Sequence, residues 1–144
     1  ALKGEEAISA WMDVNATAFK TVTENDIREA LGGLIGDVDK KALDGSIADE
    51  YATSIRKGLA VSCDGWVDDD LAFVAPWGFD LAAISVPVLI WQGDDDFMVP
   101  HAHSYWLEKH IPTGKLNFVP GHGHLSLIAD YKNEVLGQAQ ELLK

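Results

Sequence analysis

The most regular alternation of apolar and polar segments lies in the second half of the chain. An apolar run over residues 86–91 ends at Gln-Gly and three aspartates, and a second run over residues 116–119 ends in Pro-Gly-His-Gly-His. Between the two runs, Pro100 precedes a helical pattern over residues 101–110. The pattern predicts a strand, an acidic loop, a helix, a second strand and a histidine loop, in that order.

Both polar loops follow the carboxyl end of a predicted strand. In open α/β sheets, ligands bind and chemistry takes place at that edge. The first loop carries Asp96 and the second carries His124, and a carboxylate that orients an imidazole is the core of a proton-transfer relay. A surface turn rich in aspartate beside an unrelated histidine fits the spacing equally well, so the residues alone leave both interpretations open.

The spacing of apolar residues predicts helices, and no strand, before residue 84. The first three helices are expected over residues 4–20, from a Thr23–Asp26 capping box to Gly36, and over residues 37–43. Two more are expected over residues 46–63 and from an Asp68 cap to Val74. Gly45-Ser46 is expected to break the third of them, and Asp64-Gly65 to form a turn. A last helix is predicted from about residue 125 to the C-terminus. Residues 1–80 thus form a helical region, and residues 81–144 contain the strands.

Composition narrows the classes of partner and compartment. The 144 residues carry a net charge of −12, from 11 basic and 23 acidic side chains, which repels nucleic acid and anionic membrane surfaces. No apolar run approaches the roughly 20 residues that span a bilayer, and the first residues lack a signal-peptide layout. Cys63 is the single cysteine, so no internal disulfide forms. These features favour a cytoplasmic protein without nucleic-acid or membrane partners.

Paired histidines suggest metal binding as a rival chemistry. His101 and His103 form one H-x-H pair and His122 and His124 another, with three aspartates nearby, and imidazole and carboxylate are common metal ligands. The first pair lies at a predicted helix start, where residues i and i+2 point in different directions. We therefore predict no metal site.

Residues 86–127 resemble the C-terminal segment of α/β-hydrolase-fold enzymes. In that family the pattern P-V-L-x-x-x-G-x-x-D-x-x-V-P holds the triad acid, and a Gly-His pair before the final helix holds the triad histidine. The matching residues here are Pro87, Val88, Leu89, Gly93, Asp96, Val99, Pro100, Gly123 and His124. Residues 66–71 and 76–79 are similar, more loosely, to the cap of the prolyl-aminopeptidase-like and esterase-like branch.

The resemblance implies a fold class and catalytic roles. It implies an α/β protein in which a helical cap, residues 1–80, precedes the last strands and helices of a hydrolase core, residues 81–144. Asp96 would be the triad acid and His124 the general base of an enzyme that cleaves ester, amide or related bonds. The substrate of the full-length parent would be a small molecule or peptide-like, and no cofactor is implied.

The sequence departs from the family at the nucleophile. The family carries it on a G-x-S-x-G elbow ahead of the cap, and no serine of this chain lies in such a motif. We therefore expect a C-terminal fragment that begins at the cap, supplies the acid and base, and is inactive alone. Two alternatives stay open: an aspartate nucleophile, as in dehalogenase-like and epoxide-hydrolase-like relatives, or a noncatalytic interaction module.

The composition of the first predicted strand indicates that it pairs with a further strand from another segment or chain. Residues 86–91 are apolar on both faces, as in strands covered on both sides, and an unpaired apolar edge invites pairing with another chain. The expected partner is the N-terminal half of the same protein, or a second copy that associates through the exposed sheet edge.

Overall fold

The computed structural model describes residues 1–143, which fold as a mixed α/β structure that is mostly helical. The helices are α1 (Glu5–Lys20), α2 (Glu24–Leu31), α3 (Asp37–Ala42), α4 (Ala48–Gly58), α5 (Asp64–Val74), α6 (His101–His110) and α7 (His124–Glu141). The strands are β1 (Val88–Gly93) and β2 (Gly114–Val119). A π-helical turn, Leu43–Ile47, links α3 to α4, and a 3₁₀ turn, Leu81–Ala83, precedes β1.

One compact unit combines residues Ala1–Ile27 with Ala48–Gly78. Its core is a cluster of buried apolar side chains from α1, from α5 and from the residue that follows α4: Ile8, Met12, Leu59 and Val67. At the start of α2, the Thr23 hydroxyl accepts from the Asp26 amide, while the Asp26 carboxylate accepts from the Thr23 amide and hydroxyl. This reciprocal pair is the capping box that the sequence predicted.

The other unit combines Arg28–Ile47 with the part of the chain from Phe79 onward. Its strands β1 and β2 pair in parallel, in a register from Val88 opposite Gly114 to Gly93 opposite Val119. Helix α6 connects them, since parallel strands need a crossover rather than a tight turn. Because the two strands end in register, the loops that follow them leave the sheet at the same edge.

The strand–helix–strand–helix order of the C-terminal region is confirmed, with α6 over the predicted residues. Several boundaries nearer the N-terminus differ from prediction. Helix α2 ends at Leu31 rather than Gly36, and α4 ends at Gly58 rather than residue 63. The predicted break at Gly45-Ser46 is wrong, because a wider π-helical turn carries the chain through these residues.

Helix α5 also begins earlier than predicted. It starts at Asp64 rather than at an Asp68 cap, so Asp64-Gly65 is its first turn and not a separate loop. The Cys63 carbonyl accepts hydrogen bonds from the amides of Trp66 and Val67, at 3.0 and 3.1 Å, and these bonds start the helix.

The grouping of the helical region also differs from the predicted division at residue 80. Residues Arg28–Ile47 belong with the strands rather than with the other helices, so α3 lies in the unit that carries Asp96 and His124. None of the helices within residues 1–143 is both long and apolar enough to cross a membrane.

Candidate functional site

The acidic loop after β1 and the histidine loop after β2 are held together by their backbones. The Asp94 amide donates to the Val119 carbonyl at 3.1 Å, and the Asp95 amide donates to the His122 carbonyl at 2.9 Å. The Asp94 carboxylate accepts from the Gly121 amide at 2.6 Å. The parallel pairing of the strands thus continues into the loops, and the two loops form one structure.

Gly93 makes this close approach possible. A Cβ built at Gly93 would overlap the backbone carbonyl of His122. The glycine at the end of β1 is therefore required by the space between the loops. Gly121, in the opposite loop, adopts a φ of +71°, in the left-handed region that glycine enters at little cost.

The Asp96 carboxylate is buried and accepts hydrogen bonds on both oxygens. Oδ1 accepts from the amides of Met98 and Val99 at 2.9 and 2.8 Å, which closes a tight turn. Oδ2 accepts from Gln92 Nε2 at 2.9 Å and from His124 Nδ1 at 3.0 Å. The carboxylate is therefore fixed by its own loop and by β1, and it reaches His124 in a defined orientation.

These bonds decide the ionisation of Asp96. Burial is the largest single influence and raises the pKa of the carboxyl group, because desolvation disfavours its charged form. The Val99 amide, the His124 ring and the Met98 amide act in the opposite direction and together outweigh burial. The pKa of Asp96 lies below its usual value of 3.8, so the group is a carboxylate at neutral pH.

The hydrogen bond to Asp96 also assigns the tautomer of His124. A carboxylate only accepts, so His124 Nδ1 carries the proton in this bond. In the neutral ring Nε2 then holds the lone pair, and no group within residues 1–143 forms a hydrogen bond with it. The side chain is 35% exposed. This arrangement leaves Nε2 able to accept a proton, as a general base requires.

An apolar recess of about 290 Å³ lies beside the Asp96–His124 pair. Its lining comes from β1, the acidic loop and α7: Trp91, Gln92, Asp96, Val99, His124, Leu127, Ile128 and Val135. The two polar groups therefore meet at the margin of a largely hydrophobic surface, which is the common character of a small-molecule site.

The other histidines do not join this pair. His122 Nε2 lies 3.2 Å from Asp130 Oδ2, the His101 ring packs edge-on against Phe118, and His110 Nδ1 lies 2.7 Å from the Trp106 carbonyl. Among residues 1–143, no three metal-ligating side chains converge on one point. His101 and His122, one from each H-x-H pair, thus contact different neighbours.

Two residues of this region were missed by sequence reasoning. Gln92 is buried and bonds Asp96, but at the end of an apolar strand its only signal is its polarity. Asp39 is buried and accepts the amides at the start of α7. It carries no local signal, because its partners lie more than 80 residues away in sequence.

No protein-family model matches this chain, and no curated protein matches it either. The function proposed below therefore rests on the geometry of the site together with the resemblance of residues 86–127 to the hydrolase family.

Proposed function

We propose that this chain supplies the acid and the base of a nucleophile–His–Asp triad in a hydrolase of the α/β-hydrolase type. The observation that carries this proposal is the 3.0 Å hydrogen bond from His124 Nδ1 to Asp96 Oδ2. It holds the ring in the tautomer that a general base needs, at the rim of an apolar recess. The same two residues stand at the acid and histidine positions of the pattern that resembles the family.

The chemistry follows from the tautomer. His124 Nε2 takes the proton from a nucleophile as that nucleophile attacks an ester, amide or related carbonyl carbon. The positive charge that forms on the ring lies next to the Asp96 carboxylate, which stabilises it. The imidazolium then returns the proton to the leaving group, and water releases the acyl group in a second cycle of the same transfers. The proposed reaction uses no cofactor.

The nucleophile is proposed to come from a segment outside these 144 residues. No serine here lies in a G-x-S-x-G elbow, and in this fold the chain order is nucleophile, acid, histidine. The chain by itself therefore holds a proton acceptor with no nucleophile to activate. We propose that it is inactive alone and acts on a small-molecule or peptide-like substrate within the full-length parent.

The edge of β1 supports a second proposal, that of an interaction surface. Within residues 1–143, β1 pairs with β2 along one edge. A recess of about 500 Å³ beside this strand is lined mainly by apolar residues: Val86, Pro87, Leu89, Trp91, Val135, Ala139, Leu142 and Leu143. We propose that further strands of the hydrolase core cover this region. Light scattering that shows a monodisperse monomer would argue against the alternative, association of two copies.

Covalent labelling tests the catalytic proposal. A fluorophosphonate that labels activated serines should leave the 144-residue chain unlabelled. It should label the product of the same gene, extended upstream as far as the reading frame is open, at one serine. Substitution His124→Gln in the extended product should abolish the labelling. Stoichiometric labelling of a serine in the 144-residue chain, or labelling unaffected by His124→Gln, would refute the proposal.

A further inference from the structure

Asp39, on the short helix α3, is a carboxylate that is 0% exposed and that bonds the first turn of α7. Its Oδ2 accepts from the His124 amide at 2.8 Å. Its Oδ1 accepts from the amides of Leu125 and Ser126, at 3.1 and 2.8 Å, and from the Ser126 hydroxyl at 2.7 Å. These charge-assisted bonds offset the cost of burying the carboxylate.

Asp39 replaces the side chain that normally caps a helix. The first amides of a helix have no partner within it, and the N-cap residue of α7 is Gly123, which has no side chain to offer. A Cβ at Gly123 would overlap the Asp39 carboxylate. The backbone of Gly123 has a φ of −101°, which suits any residue. Glycine is therefore required here by the approach of Asp39.

Ser126 completes the network. Its Oγ accepts from the Gly123 amide at 2.8 Å and donates to Asp39 Oδ1. Gly123, directly before the histidine, and Ser126, two residues after it, are both held by this arrangement, and Ser126 is 2% exposed. The start of α7 is thus fixed from α3, an element that precedes it by more than 80 residues.

We propose that Asp39 is a positioning residue for His124, an inference that rests on the proposed function of His124 as general base. His124 is the first residue of α7 and is held at two points. Asp39 holds its backbone amide, and Asp96 holds its ring. A general base must stay within about 0.5 Å of its productive position, and the two bonds together fix both the origin and the direction of the side chain.

Nitrogen NMR of the 144-residue chain tests the inference without any need for hydrolysis. Long-range ¹H–¹⁵N spectra report the tautomer of each of the five histidines, and His124 is assigned by its loss in His124→Gln. Asp39→Ala should shift the His124 ring nitrogens toward a mixture of tautomers, because the ring no longer meets Asp96 in register. If Asp39→Ala does not fold, the near-isosteric Asp39→Asn should give the same shift.

Ser104→Ala is the matched control for a lost buried hydrogen bond in the same unit. Ser104 is 3% exposed, and its hydroxyl donates to the His101 carbonyl, away from α7. This variant should lower Tm while the His124 signals stay in place. Equal displacement of the His124 signals in Ser104→Ala and Asp39→Ala would overturn the inference.

The double variant Asp39→Ala/Gly123→Ser separates positioning from simple capping. With the carboxylate removed, a serine fits at 123 and can cap α7 locally. It should recover part of the roughly 5 °C or more of Tm that Asp39→Ala loses, while the His124 ring nitrogens stay displaced. Full return of the wild-type ring signals would show that Asp39 is only a cap and would overturn the inference.

The two proposals fail in different ways. Unchanged His124 signals in the Asp39 variants would refute the positioning role and leave the proposed hydrolase chemistry untouched. Displaced signals, together with a full-length product that does not hydrolyse esters or amides, would support the positioning role and refute the chemistry.

Discussion

His124 Nδ1 lies 3.0 Å from Asp96 Oδ2, although the two residues are 28 positions apart and belong to loops that follow different strands. The relationship depends on the in-register ends of β1 and β2 and on the glycine that lets the loops touch. The in-register strands therefore bring Asp96 and His124 together. The contribution of their interaction can be measured through the free energy of unfolding as well as through activity.

Replacement of Asp96 by asparagine should destabilise the protein. Asp96 accepts from four donors, whereas an asparagine would turn an NH₂ group toward some of them. We expect Asp96→Asn to lower the free energy of unfolding by about 1–3 kcal/mol, measured by urea denaturation. Asp37→Asn is the control, because Asp37 is 93% exposed in its ion pair with Lys40 and should change stability by less than about 0.5 kcal/mol. Equal effects of the two substitutions would contradict the described role of Asp96.

The stabilisation from Asp96 should depend on pH in one direction. The pKa of Asp96 is lowered in the folded state, from a usual value of 3.8, so the unfolded chain binds the proton first as the pH falls. The contribution is complete above pH 3.8 and is lost as the pH falls through the lower folded-state pKa. In urea denaturation at a series of pH values, the difference between wild type and Asp96→Asn should shrink in that acidic range. If the unfolding free energies of wild type and Asp96→Asn differ by the same amount at every pH, the lowered pKa of Asp96 is contradicted.

Replacement of two glycines by alanine should change the free energy of unfolding in opposite directions. Gly93→Ala places a methyl group against the His122 carbonyl and should cost about 1–3 kcal/mol of stability. Gly137 lies inside α7, and an added Cβ there meets nothing within 4 Å, so Gly137→Ala should add about 0.5–1 kcal/mol. Thermal or urea unfolding of both variants checks the pair. A harmless Gly93→Ala would mean that the loops are not packed as described.

The C-terminal half of the fold was readable from sequence because its signals are local. Apolar runs that end in polar loops predicted β1 and β2, and Pro100 predicted the start of α6. Parallel pairing then brings Asp96 and His124 to one edge. Gly93 and Gly123 could also be recognised as motif residues, although only the structure shows that Gly93 makes room for the His122 carbonyl and Gly123 for the Asp39 carboxylate.

The N-terminal half was harder to predict because its boundaries depend on backbone bonds without a sequence signal. The early start of α5 depends on the Cys63 carbonyl, and the π-helical turn at Leu43–Ile47 carries the helix through a Gly-Ser pair that normally ends one. The role of Asp39 was hidden by sequence distance: nothing near it in the chain indicates that its carboxylate meets the start of α7.

Steady-state hydrolysis by the full-length gene product tests the central claim most directly. With p-nitrophenyl esters and aminoacyl p-nitroanilides as substrates, His124→Gln should lower kcat/KM by at least about 100-fold. His110→Gln, at the far end of α6 where its ring contacts the Trp106 carbonyl, should leave it unchanged. A His124→Gln product that hydrolyses these substrates at the wild-type rate would contradict the assignment of His124 as the base.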